Sequence, residues 1–106
     1  MGEVKFTEQS IADLEEIARY ISFDSFNYAR LQVEKIFVRT DTLEKFPQIG
    51  RIVPEVKNKY IRELIEGNFR IIYLIKNKDT IHILTIHHSA RKFNASQLKK
   101  ITRKLK

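Results

Sequence analysis

The sequence contains no cysteine. That excludes a disulfide framework and any zinc–thiolate site, and it fits a reducing compartment. No apolar run approaches the roughly 18 residues that a membrane-spanning helix needs. The N-terminal MGEVKFTEQS lacks the apolar centre of a signal peptide. A cytoplasmic protein without membrane contact is therefore expected. The motifs of several common chemistries are also missing: no G-x-x-x-x-G-K-[ST] phosphate loop, no G-x-G-x-x-G, no H-E-x-x-H and no G-x-S-x-G. No cofactor is expected. Acidic residues, finally, are absent from residues 89–106. All 13 Asp and Glu lie at or before Asp79, where an equal number of Lys and Arg balances them. The entire net charge of +7 therefore falls on Arg91, Lys92, Lys99, Lys100, Arg103, Lys104 and Lys106. Such a block suits a polyanion or an acidic protein partner. Its bland alternative is a solvated helix face; its position just after a cluster of His and Arg favours a partner.

What is present is enough for one core. The chain has 106 residues, 42% hydrophobic and 31% charged, and reads as one domain over 1–106. The densest apolar stretch is Tyr60 to Arg91. Phe69, Ile71, Tyr73 and Ile75 alternate with Arg70, Ile72, Leu74 and Lys76, the pattern of a packed strand. Asn77-Lys78-Asp79 is a break of hairpin length. Thr80 to His87 alternates again: Ile81, Ile83 and Thr85 are expected to share a face with His87, and His82, Leu84 and Ile86 to share the other with His88. Tyr60 to Ile65 is a shorter strand, and Glu66-Gly67-Asn68 a turn in which Gly67 supplies positive φ.

Upstream, Val4-Lys5-Phe6 is a strand candidate. Thr7 is placed to cap a helix starting near Glu8, with Ile11, Leu14, Ile17, Ala18 and Ile21 on its apolar stripe and Ala12, Asp13, Glu15, Glu16 and Arg19 outward. Asp24 or Ser25 caps a second, longer helix carrying Ala29, Val33, Ile36, Phe37, Thr40 and Leu43, which ends before Phe46-Pro47. The pair reads as a helical hairpin. Pro47 to Arg51 is a loop, set by Pro47 and Gly50 and continued in extended form by Val53-Pro54-Glu55. A last helix, capped by Asn94 or Ser96, carries Leu98, Ile101 and Leu105 on a narrow stripe and is marginal without docking. The order is β-α-α-β-β-β-α. It predicts an α+β fold: an antiparallel sheet with the N-terminal helical hairpin packed on one face and the other face partly open.

Three histidines, His82, His87 and His88, lie on the last strand or its end. One strand does not assemble a metal site, so structural or surface roles are favoured and no metal is expected. Arg70 is set between Phe69 and Ile71 on a half-apolar face. It needs a carboxylate, a carbonyl or an external anion. Glu55 or Glu63 can supply the first as a structural ion pair. Otherwise its fork can hold a phosphate. Arg70, Arg91, Arg62 and the histidines together would make a cationic concavity. Metal-free RNA cleavage needs a base for the 2′-hydroxyl, a cation for the phosphorane-like charge and an acid for the leaving oxygen. Arg70 and Arg91 fit the second role; His87, His88 or Glu55 fits the first or third. Arg62 and Lys92 are candidate substrate-binding cations.

Four segments in order, SIADLEEIARYI, FPQIGRIVPE, IRELIEGNFRIIYLI and ILTIHHSAR, resemble the RelE/ParE superfamily of toxins from type II toxin–antitoxin pairs. The resemblance covers most of the chain. It implies the small α+β toxin fold and a cognate antitoxin that wraps and neutralises the toxin. Its RelE-like branch cuts messenger RNA on the ribosome; its ParE-like branch inhibits DNA gyrase and lacks the nuclease residues. Within the resemblance, Arg70 matches a mid-strand Arg that contacts the scissile phosphate in the nucleases, and Arg91 matches a second functional Arg. Ile61-Arg62-Glu63-Leu64 lacks the paired lysines of the best-known nucleases. The C-terminal segment has no tyrosine, and Phe93 carries no proton to give. GRIVPE and HHSAR lean toward the ParE side. Gyrase inhibition is thus the expected activity, a ribosome-dependent mRNA endonuclease the second, and a non-toxic basic RNA-binding module the third.

Overall fold

A computed structural model describes residues 2–89 and 95–104. The chain runs β1 (Glu3–Phe6), α1 (Glu8–Ser22), α2 (Phe26–Asp41), a 3-10 turn (Thr42–Glu44), β2 (Arg51–Ile52), β3 (Ile61–Glu66), β4 (Phe69–Asn77), β5 (Thr80–His88) and α3 (Ala95–Lys104). Local chemistry sets the boundaries. The Thr7 hydroxyl accepts from the Ser10 N–H at 3.1 Å, and Ser25 does the same for Tyr28, so both hairpin helices open on side-chain caps. Gly67 turns β3 into β4 at φ 58, a conformation cheap only for glycine.

The sheet order is β1-β5-β4-β3-β2. The meander is antiparallel as expected, whereas β1 joins β5 in parallel, so the sheet is mixed. The segment read as a loop before the meander contributes a two-residue strand, β2, on the far edge. The α1–α2 hairpin covers one face. Beneath it lies the larger core, in which Leu14, Ile36, Leu43, Leu64, Phe69, Ile71, Tyr73, Ile81, Ile83 and Ile86 pack together.

Two expectations need correction. The other face is not left open. Val53 and Val56, from the segment after β2, and Leu98 and Ile101 of α3 close over Ile61, Ile72, Leu74 and Leu84. A half-apolar sheet face costs free energy while wet, and the ten-residue α3 gains from this contact the docking that a helix so short requires. The alternation along β5 also changes phase. Tyr73 pairs with Ile83 but Ile72 pairs with Thr85, leaving Leu84 as an extra residue. This bulge returns Ile86 to the face of Ile81 and Ile83. The expected grouping of Ile81 and Ile83 with His87, and of His82 and Leu84 with Ile86 and His88, is therefore reversed beyond the bulge. Thr7 marks the spot: its hydroxyl lies 2.9 Å from the carbonyl oxygens of both Ile83 and Leu84.

Candidate functional site

Arg70 lies on the α3-side face of β4, with only 11% of its side chain exposed. Strand geometry explains its partners. Glu63 of β3 sits opposite Ile72, two residues along the same face, and its side chain is fully buried. Arg70 Nε and Nη2 donate to the two Glu63 oxygens, each at 2.7 Å. Glu55 reaches down from the segment after β2. Its two oxygens accept from Arg70 Nη1 at 2.8 Å and Nη2 at 2.9 Å. The guanidinium therefore makes two carboxylate forks. Arg51, opposite Glu63 in the β2–β3 register, adds its Nε at 3.3 Å from Glu63. Two carboxylates and two guanidinium groups balance, as a buried charge requires.

The electrostatics follow from these contacts. The hydrogen bond from Arg70 lowers the Glu55 carboxyl from 4.5 to about 2, against a smaller opposing effect of burial. The two carboxylates raise the Arg70 pKa, Glu55 first and Glu63 second. At neutral pH Glu55 is thus a fixed anion. An anion held this far below neutrality has no proton to donate there.

Among the other described candidates, His87 shares the face of Arg70 and the rest do not. His87 lies opposite Arg70 in the β4–β5 register. His88 is on the hairpin side, edge-on to Phe69 with ring centroids 5.3 Å apart. Arg62 pairs with Tyr73 and so lies on the sheet face opposite Arg70. There its Nε donates to the Lys59 carbonyl at 3.1 Å and its Nη1 to the Gly50 carbonyl at 2.9 Å. A concavity joining Arg62, Arg70 and both histidines is therefore not formed, because β strands alternate and the β5 bulge divides the histidines. His82 has its Nε2 buried with no hydrogen-bond partner among the described residues. Burial, then Lys76 and Lys5, lower its pKa. Among the described residues no group of three or more His, Asp or Glu is placed to hold a metal ion. Arg91 and Lys92 lie outside the described residues.

Sequence reasoning missed a second feature. A groove of about 490 Å³ runs between α1 and the β4–β5 end of the sheet, lined by Asp13, Ile17, Tyr20, Phe23, Phe69 and His88 among others. Tyr20, Phe23 and Phe26 at the hairpin tip are 75%, 82% and 75% exposed. Aromatics so exposed and so close together mark an interaction surface. The signal was legible in YISFDSFNY, where four aromatics crowd a helix–helix turn. Asp13, read as outward, turns to the sheet: its carboxylate accepts from the Ile86 N–H at 3.0 Å and from the Thr85 hydroxyl. The loop Pro47–Gly50 is also built with care. The buried Tyr73 hydroxyl donates to the Pro47 carbonyl at 2.7 Å and accepts from the Gly50 N–H at 3.0 Å. A Cβ on Gly50 would come within 2.5 Å of the Glu63 carbonyl oxygen.

With this geometry in view, comparison with known proteins is informative. A family model for the ParE toxin of the parDE type II toxin–antitoxin system matches residues 4–93. A solved structure titled as the chromosomal ParDE toxin–antitoxin system from P. aeruginosa is similar at 26% identity. The match has a TM-score of 0.68 and covers 83% of this chain and 96% of that one. No curated protein sequence matches.

Proposed function

The chain belongs to the ParE toxin family of type II toxin–antitoxin systems, and from that premise we propose that it arrests growth in the cytoplasm by inhibiting DNA gyrase. The observation that carries the preference over RNA cleavage is the double fork on Arg70. Its guanidinium is bound by Glu55 and Glu63, and Glu55 is held near a pKa of 2. A metal-free ribonuclease site instead needs a cation turned to the phosphate and groups that exchange protons near neutrality. Inhibition by binding asks for neither.

A cognate antitoxin completes the proposal. The hairpin groove and the exposed Tyr20, Phe23 and Phe26 are its seat, since apolar surface of this kind is covered in a stable complex. Asp13, Glu16 and Arg19 beside the groove give a mixed-charge rim to an apolar floor, which suits a protein. Among the described residues no helix is long and apolar enough to cross a membrane.

The second reading is a ribosome-dependent mRNA endonuclease. It is favoured by the register that sets His87 opposite Arg70, with Arg91 and Lys92 as further contacts. Purified protein given in parallel to a gyrase supercoiling assay and to a translating ribosome assay separates the two. Loss of supercoiling with intact mRNA is expected. mRNA cleavage with unaffected gyrase overturns the proposal in favour of the second reading.

A further inference from the structure

The two faces of the sheet carry opposite charge. The hairpin side leans acidic: α1 holds Glu8, Asp13, Glu15 and Glu16 against Arg19 alone, while α2 is near balance, with Glu34 and Asp41 against Arg30, Lys35 and Arg39. On the other side, the segment around β2 exposes Arg51, Lys57 and Lys59, and α3 exposes Lys99 and Lys100. The two elements meet, because Val53 and Val56 pack in one cluster with Leu98 and Ile101. The acids of this region are already committed: Glu63 is buried and both Glu63 and Glu55 are bound to Arg70. Nothing in the cluster offsets the lysines. Their placement has a cost as well. Lys57 is the one non-glycine residue with positive φ among those described, at φ 57, although the neighbouring Asn58 is a residue that adopts this conformation more readily. Strain of this kind collects at functional positions.

We propose that this face binds the sugar–phosphate backbone of double-stranded DNA. The chemistry of the surface selects the occupant. The described apolar residues of α3, Leu98 and Ile101, are turned inward to the sheet and so are not offered to a lipid surface. The one exposed aromatic of the segment, Tyr60, carries the Lys59 ammonium 5.1 Å from its ring centroid and offers no clean platform for stacking an unpaired base. What is left is a spread of ammonium and guanidinium groups, which contacts phosphates without reading sequence. The face is separated by the sheet from the hairpin groove, so both surfaces are available at once. α3 lies beyond the span that the family model matches, and the inference rests on this chain's own charges rather than on gyrase inhibition.

The test is fluorescence anisotropy of the full chain with a labelled mixed-sequence DNA duplex over a salt series. Four phosphate contacts predict that affinity falls about a hundredfold between roughly 50 and 200 mM salt. The variant Lys57→Asn/Lys59→Gln/Lys99→Gln/Lys100→Gln should flatten the salt slope by about 0.9 per cation removed, with an unchanged circular dichroism spectrum and Tm. Each half of it, Lys57→Asn/Lys59→Gln or Lys99→Gln/Lys100→Gln, should lose about half as much, which keeps the test open if the fourfold variant unfolds. Arg30→Gln/Lys35→Gln on α2 should bind like the parent. Absence of duplex binding at low salt overturns the proposal, as does a fourfold variant that binds like the parent. Tighter binding to duplex RNA, single strands, polyglutamate or anionic vesicles overturns the assignment to DNA. None of these outcomes depends on the gyrase result.

Discussion

The two faces of the sheet solve the same problem by different means. Under the helical hairpin the core is almost wholly apolar, and its cohesion is packing. Under α3 and the segment after β2 the apolar cluster is smaller, and beside it a four-membered charge cluster ties the loop to the sheet. The first arrangement tolerates little change of volume. The second tolerates little change of charge. A buried carboxylate such as Glu63 is stable only with its partners in place, so the smaller face depends on hydrogen-bond geometry where the larger depends on shape.

The sharpest way to break this contrast is Arg70→Ala. It strands Glu63 with only Arg51 and should cost about 3–5 kcal/mol in chemical denaturation. Arg70→Met combined with Glu63→Leu should recover most of that loss, since the burial cost of the carboxylate disappears with it. A double variant as unstable as the single one would mean that shape, not charge, governs this face too. The next effect belongs to the other face. Tyr73→Phe keeps the ring in the larger core but leaves the buried Gly50 N–H without its partner, at about 1–3 kcal/mol. No change in the urea midpoint would show that water replaces the hydroxyl.

The smallest effect is a matter of pH. The Glu55 carboxyl is lowered from 4.5 to about 2 in the folded chain, so its contribution to stability is complete above 4.5 and is lost as pH falls from there toward 2. Melting temperatures of the parent should decline through that window. Those of Glu55→Gln should start lower at neutral pH and decline less across it. Parallel profiles would show that Glu55 is not anchored to Arg70 in solution.

Much of the fold was legible because it is written in periodicity and caps. The strands of the meander, the turn at Gly67, the caps at Thr7 and Ser25 and most of both hairpin stripes follow from local pattern, the exceptions being Ile11 and Phe37, expected on the stripes but exposed. Three features were not legible, for one shared reason: each is decided by a contact distant in sequence. The parallel seat of β1 depends on β5, nearly eighty residues away. The bulge at Leu84 is invisible in an alternation that reads smoothly through it. The covering of the second face needs the segment after β2 and α3 together, two elements some forty residues apart. The site was legible residue by residue more than as an arrangement. Arg70 with Glu55 or Glu63 was weighed as a pair, yet the part of Arg51 and the engagement of both carboxylates at once needed the sheet register. The groove was missed because Tyr20, Phe23 and Phe26 lie off both apolar stripes of the hairpin.

The extra residue at Leu84 has a consequence for how this strand can be shortened. Deleting Leu84 would remove the bulge and leave every pairing below it in place, so Ile86 would stay in the larger core, His87 beside Arg70 and His88 on the groove side. The strand would lose only the apolar side chain that Leu84 gives to the smaller cluster. The extra residue is thus what lets an alternation unbroken in sequence serve two different faces in the fold.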